Sequence, residues 1–197
     1  MSKNLLPFRR VEQRDLPDEA LVAACAAGDS LALEELFRRH GEQVHRVLVR
    51  LRHVDRNDID DVVQTTFLEV CRSARRYRGG AAVSTWILGI AMNVTRHYVR
   101  GEMRRRSALA GMASVSFPTD DSRPDEWVSQ QQSLERMSSG FDRLPRDFQI
   151  IFTLCDLEGQ RGVDVAVALG IPEGTVWRRL HEARIRLRAC VQEGVRG

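Results

Sequence analysis

Long apolar runs are missing from this sequence. Its apolar stretches last only a few residues, whereas a membrane-spanning helix needs roughly 20. Membrane insertion is therefore not expected. Residues Met1 to Arg14 lack both an apolar core and a small-residue cleavage site, so a secretory leader is not expected either. Paired cysteines are missing too. Cys25, Cys71, Cys155 and Cys190 stand far apart, with no CxxC among them. None of His40, His45, His53, His97 and His181 pairs with a cysteine at zinc-ligand spacing. Free thiols in a reducing cytoplasm, with no metal, are the expectation. There is no phosphate loop, no nucleophile elbow and no acid, base or histidine pair at catalytic spacing. We therefore expect no enzyme, no catalytic residue and no cofactor. Runs of alternating, β-branched residues are absent as well, which argues against a sheet.

Lysine is nearly absent. Of 30 basic residues, only Lys3 is lysine and the others are arginine. Codon bias in a GC-rich genome accounts for most of that preference, so location says more than count. Residues 72–106 carry nine arginines against one acid, Glu102, whereas residues 107–135 carry one arginine against five acids. The first block suits a polyanion and the second a solvated linker. What remains is an ordinary globular composition: 197 residues, 43% hydrophobic and 29% charged.

The apolar spacing is helical almost throughout. Asp18 is placed to cap a first helix with Leu21, Val22 and Cys25 inward. Gly28-Asp29 breaks it. A second helix spans about residues 31–52, with Leu33, Leu36, Phe37, Val44, Val47, Leu48 and Leu51 on one stripe. A third spans about 58–75, with Ile59, Val62, Val63, Phe67, Leu68, Val70 and Cys71 apolar. Asp58, Asp60 and Asp61 crowd its first turn, where the helix dipole favours anions. After a glycine loop, Ser84 or Thr85 caps a fourth helix from Trp86 to about Arg106. Residues 107–128 lack a period, helix resumes over about 125–140, and Leu144-Pro145 opens another that includes Leu157. The last segment has the form of a helix-turn-helix. One helix ends at Leu169, Gly170 suits its C-cap, Ile171 plugs the core, and Pro172 or Glu173 opens a second helix. Val176, Leu180 and Ala183 face inward there, and Trp177, Arg178, His181 and Glu182 outward.

Three constellations carry chemistry. The second helix of the hairpin, rich in arginine, fits the DNA major groove; an ordinary hairpin with a solvated face is the plainer alternative. The basic helix with Arg96, His97, Arg100, Arg104 and Arg105, preceded by Tyr77 and Trp86, suits unstacked bases, and equally a solvated face over a core tryptophan. The acidic start of the third helix repels phosphate, so it suits a protein partner or simply a capped core helix.

Together these segments resemble the bacterial RNA polymerase sigma factors of the extracytoplasmic-function (ECF) group. Asp58-Ile-Asp-Asp-Val-Val-Gln-Thr-Thr-Phe resembles that family's "DAEDLVQEVF". Tyr77-Arg-Gly-Gly and Ser84-Thr-Trp-Ile-Leu-Gly-Ile-Ala-Met-Asn resemble "FRG…FRTWLYRIARN". Leu144-Pro-Arg-Asp-Phe resembles "LPPRYREV", and Leu169-Gly-Ile-Pro-Glu-Gly-Thr-Val-Trp-Arg-Arg-Leu-His-Glu-Ala-Arg resembles "LGIPVGTVKSRLHRAR". Gly28-Asp29 followed by Leu33-Glu-Glu-Leu-Phe is similar to "AGDREAFEELY". The likeness covers about residues 18–106 and 134–191.

The resemblance implies an all-α fold of two helical domains joined by a flexible linker. The boundaries are a lead-in at 1–17, an N-terminal domain at 18–106, a linker at 107–133 and a helix-turn-helix domain at 134–197. It implies a cytoplasmic promoter-specificity subunit whose partners are core RNA polymerase, promoter DNA and an anti-sigma factor. Asp60, Asp61, Gln64 and Phe67 would dock on the polymerase clamp helices. Arg78, Ser84, Asn93, Arg96, His97 and Arg100 would open and read the −10 element. Thr175, Trp177, Arg178, Arg179, His181, Glu182 and Arg184 would meet the −35 duplex, with Arg179 and Arg184 on phosphates. The acidic linker would run toward the RNA exit path. A free-standing helix-turn-helix regulator is the alternative, and it would need neither the acidic helix nor the −10 segment. The chain also departs from the family pattern. Arg161 and Gly162 stand where a Ser cap and an aromatic are usual, which implies a weaker helix start. Trp177 and Glu182 replace a common Lys and Arg, which implies an unusual −35 preference. Ala81-Ala82-Val83 replaces a segment where an aromatic is common, which implies altered −10 base capture.

Overall fold

The computed structural model describes residues 13–109 and 137–193. Among the described residues the chain is helical, with no strand. Helix α1 is Asp18–Ala26, α2 is Ser30–Leu51, α3 is Ile59–Ser73 and α4 is Val83–Leu109. In the second half α5 covers 137–142. Helix α6 is Arg146–Phe152, continuing into a wide π turn at Thr153–Leu157, and α7 (Gly162–Leu169) and α8 (Glu173–Glu193) follow. Of the linker expected at 107–133, residues 107–109 continue α4; the rest, and the start of the helix expected at 125–140, lie outside the described residues.

Local chemistry explains most boundaries. Gly28, at φ +95°, turns the chain out of α1. Asp29 then caps α2, its carboxylate accepting from the Leu31 and Ala32 amides at 2.9 and 3.4 Å. Pro145 precedes α6. Gly170, at φ +65°, closes α7, and the Ile171 amide reaches back to the Ala166 carbonyl at 3.0 Å.

Two expected caps are corrected. Asp18 does not cap α1, because its carboxylate accepts from Arg39 and meets His40 Nε2, both at 2.7 Å. Ser84 and Thr85 lie inside α4, which starts at Val83, and their hydroxyls turn to Gln160 of the second half. Helix α4 also runs to Leu109, past its expected end.

The core of the first half holds Leu21, Leu36, Leu48, Val70, Ile87, Leu88 and Met92. That of the second holds Ile151, Leu154, Val176 and Leu180. Each such side chain stabilises the fold by roughly 1.5–3 kcal/mol relative to exposure. The two sets form one contiguous apolar cluster. The halves meet where α4 crosses α7 at Gly89. A Cβ there would stand 2.5 Å from the Ala168 carbonyl oxygen and 2.9 Å from its Cβ, so only glycine permits this approach.

Candidate nucleic-acid and protein interfaces

Helix α3 presents Asp60, Asp61 and Gln64 to solvent while Val62, Val63, Thr66 and Phe67 point inward. Phe67 is corrected as a contact residue. It is 3% exposed and meets the Phe37 ring edge-on at 4.9 Å between centroids, so it supports the acidic face from beneath. Leu68, expected in the core stripe, is instead 54% exposed beside that face. An apolar count along the helix hid that exposure.

Helix α4 exposes Asn93, Arg96, His97 and Arg100 because Met92, Thr95 and Val99 face the core. Arg96 Nη1 donates to Asn93 Oδ1 at 3.0 Å. These four residues border two clefts. Asn93 and His97 line a groove of about 800 Å³ against α3, opposite Asp58, Asp61 and Glu69. Arg96 and Arg100 line a cleft of about 260 Å³ against Arg146, Asp147 and Ile150 of α6. Trp86 is half-buried against Tyr77, with centroids 5.0 Å apart, and the Tyr77 hydroxyl donates to the Ala81 carbonyl at 2.8 Å. The pair braces the glycine loop. Arg78 is exposed and donates to the Arg75 carbonyl at 2.8 Å.

On α8, Val176, Leu180 and Ala183 are buried. Arg178 and His181 are exposed, with no hydrogen-bond or ion-pair partner among the described residues. Thr175 is half-buried on the same helix. Glu182 accepts from Arg186 Nε at 2.9 Å. Arg179 and Arg184 are corrected as free phosphate contacts. Arg179 pairs with Asp147 at 3.0 Å, and Arg184 makes a two-pronged bond to Asp156 at 2.5 and 2.8 Å. Both tie α8 to the elements before it, and a phosphate would have to compete with the carboxylates.

Residues 36–105 match the family described as Sigma-70 region 2, and residues 135–187 match Sigma-70 region 4. The ECF RNA polymerase sigma-E factor of Haemophilus influenzae is 34% identical over 90% of this chain and 96% of its own length. The chain belongs to the ECF group of RNA polymerase sigma factors. The ECF factor SigM of Mycobacterium tuberculosis is 34% identical over 86% of this chain and 82% of its own. Among solved structures, CnrH in complex with the cytosolic domain of CnrY aligns at TM-score 0.63 and 24% identity, covering 89% of this chain and 97% of that one. RpoE of Bartonella quintana, solved with the anti-sigma factor NepR, aligns at TM-score 0.61 and 18% identity, covering 81% and 96%.

As an ECF sigma factor, the protein binds core RNA polymerase and promoter DNA, opens and recognises the −10 element and reads the −35 element. Sigma factors are initiation factors and not themselves catalysts. Among the described residues no helix is long and apolar enough to cross a membrane, and no group of three or more His, Cys, Asp or Glu could hold a metal ion. Burial pushes the Cys25 and Cys155 thiols up to about 11, which keeps both protonated and unreactive at neutral pH.

Two departures from the family pattern turn out to be one contact. The Trp177 ring lies against Gly162 at the start of α7. The aromatic absent from that helix start is thus supplied by α8. The Arg161 side chain makes no capping bond.

No residue pattern anticipated how this ECF factor's two regions pack together. Glu158, just after the π turn, is buried to 3% side-chain exposure under α2. It accepts from Arg46 Nη2 at 3.0 Å and Gln43 Nε2 at 3.2 Å and pairs closely with Arg50. Burial alone would push its carboxyl up. The hydrogen bonds from Arg46 and Gln43 and the two arginine charges outweigh that and hold it below the usual glutamate value. Gln160 meets Ser84 and Thr85, a Cβ on Gly80 would stand 3.3 Å from Val167, and His53 bonds Gln149 at 2.6 Å. The end of the loop assigned to the −10 element therefore touches the second half at Gln160 and Val167, while Arg78, Gly79 and Gly80 stay exposed.

Proposed function

We propose that three separate faces of this ECF sigma factor divide its task. The outer face of α3, with Asp60, Asp61 and Gln64 and the added apolar contact of Leu68, docks on the polymerase clamp helices, with Phe67 behind it. The loop at Arg78 and Ser84 and the α4 face of Asn93, Arg96, His97 and Arg100 hold the unpaired −10 strand. The outward side of α8 reads the −35 duplex through Thr175, Arg178, His181 and Glu182, with Trp177 beside them. The reading rests on one observation: the exposed acids Asp60 and Asp61 lie on α3, while the exposed arginines Arg96 and Arg100 lie on α4 and Arg178 on α8, and only the α3–α4 groove borders two of these faces.

In this closed arrangement region 4 holds the end of the −10 loop through Gln160 on Ser84 and Thr85 and Val167 beside Gly80, while Arg78 stays exposed, so full use of that loop requires region 4 to swing away. The outer face of α3 is already exposed in the closed arrangement, which lets polymerase capture come first and opening second. The protein acts in the cytoplasm without catalysing a reaction itself, and an anti-sigma protein is its expected antagonist. Reconstitution of holoenzyme with Asp61→Arg tests the docking face. The variant should keep the parent's helical content yet assemble at least tenfold more weakly with core enzyme. Equal assembly would remove α3 from the interface.

A further inference from the structure

Trp177 is the fifth residue of α8 and points outward near the helix N-terminus, where a recognition helix meets base edges. A free indole would swing about its side-chain torsions. Here both ends are held. Nε1 donates to Glu173 Oε1 at 2.9 Å. The benzene edge rests on Gly162, where a Cβ would stand 2.7 Å from Cζ2 and 2.8 Å from Cη2. Any side chain at 162 would push the ring away. Yet the residue remains 49% exposed.

The hydrogen bond to Glu173 occupies the only polar atom of the indole. What is left facing outward is a fixed, wholly apolar ring. Guanine, adenine and cytosine offer polar groups along the major-groove edge, and thymine alone adds a methyl. A ring with no free N–H gains nothing from a guanine or adenine acceptor and loses water there, whereas against a methyl it buries apolar surface.

We propose that Trp177 is a specificity determinant that packs on a thymine methyl of the −35 element, with Gly162 and Glu173 as the residues that position it. The proposal rests on the outward face of α8 reading that duplex. Arg178, its exposed neighbour, supplies the polar half of the recognition.

The test uses reconstituted holoenzyme and a −35 element selected from a randomised duplex library. Each thymine is replaced in turn by deoxyuridine, which removes the methyl and leaves the pairing intact. For the parent, one position should lose about fourfold in affinity, the worth of one buried methyl. Trp177→Ala should abolish the sensitivity at that position alone. Gly162→Ala, which keeps the tryptophan but displaces it, should do the same, and should change nothing further in the Trp177→Ala background. Glu173→Gln keeps an acceptor for the indole and should retain the sensitivity. This arm stands even if Gly162→Ala folds poorly by circular dichroism. The proposal is overturned if no thymine responds to methyl loss, or if the response survives Trp177→Ala. It is equally overturned if Trp177→Ala weakens all sequences alike, which would put the ring on sugar. A parent holoenzyme that selects no −35 sequence at all would instead refute the reading of α8 itself, and with it the role of Trp177.

Discussion

Gly89→Ala should pry the two regions apart while leaving each intact. The added methyl would sit 2.5 Å from the Ala168 carbonyl oxygen and 3.0 Å from its carbonyl carbon. Both are backbone atoms that no rotamer change can move, so α7 must retreat by roughly 1 Å, at an overpacking cost of about 1–3 kcal/mol. That corresponds to a shift of roughly 5- to 150-fold toward the open form. Within α4 itself, alanine favours helix over glycine by about 1 kcal/mol, and this gain applies to open and closed forms alike. The variant should therefore keep or raise the thermal stability of region 2 while its radius of gyration in solution scattering increases. The isolated chain should also bind a single-stranded −10 oligonucleotide more tightly, measured by fluorescence anisotropy, because Ser84 and Thr85 part from Gln160 and Gly80 from Val167. If scattering and oligonucleotide affinity both match the parent, the contact at Gly89 does not govern access to the loop, and the reasoning fails.

Three further outcomes are expected. Replacing Arg96 and Arg100 together by alanine should weaken −10 strand binding by the holoenzyme and lower its salt slope by about one unit for each lost phosphate contact; normal opening, followed by a base-analogue fluorophore, would count against this face. Arg178→Ala should relax preference at one −35 position by about 1–3 kcal/mol, whereas Arg179→Ala should act on the fold through Asp147 and lower the melting temperature without altering preference. Acid should open the closed form. Burial lowers the His53 pKa, the hydrogen bond with Gln149 opposes this, and the Arg146 charge adds to it. The open form, with an ordinary value near 6.5, then binds the proton more readily. Closure is thus favoured above about pH 6.5 and weakens as pH falls through and below it. Glu158 acts in the same direction only further down: its ionised form favours closure and is lost below the ordinary glutamate range. Scattering from pH 7.5 to 5.5 checks the first step, and His53→Gln should flatten it.

Helix periodicity made α2, α3 and the hairpin legible, because one buried stripe repeats every three to four residues and glycine marks the ends. It misjudged Leu68 and also Phe37, which is 45% exposed, since a stripe gives the side of a helix and not where a neighbouring helix stops covering it. Phe67 failed as a contact for the converse reason: a motif matched by resemblance mixes exposed residues with those that support them from beneath. Asp18, Ser84 and Thr85 had suitable cap chemistry, but partners distant in sequence, Arg39, His40 and Gln160, claimed their side chains. The Gly162–Trp177 contact was visible only as two unrelated oddities until the fold joined positions 15 residues apart. The closure between regions left no mark on any single-helix pattern, because it depends on a glycine and a glutamate whose roles exist only across the interface.

The π turn at Thr153–Leu157 has a consequence for insertions and deletions. The Glu158 amide reaches the Thr153 carbonyl five residues back, at 2.9 Å, so the turn holds about one residue more than an α-helix would. Each residue of an α-helix advances the side-chain direction by about 100°. Losing one residue here would let the helix close its normal ladder, an easy local repair. It would also rotate Glu158 and Gln160 by that angle, away from Arg46 and Thr85. Single-residue length changes at this turn would thus leave a well-folded promoter-reading domain while erasing its grip on the rest of the chain. Related chains differing by one residue at this point should differ in how tightly they close, whatever their DNA preference.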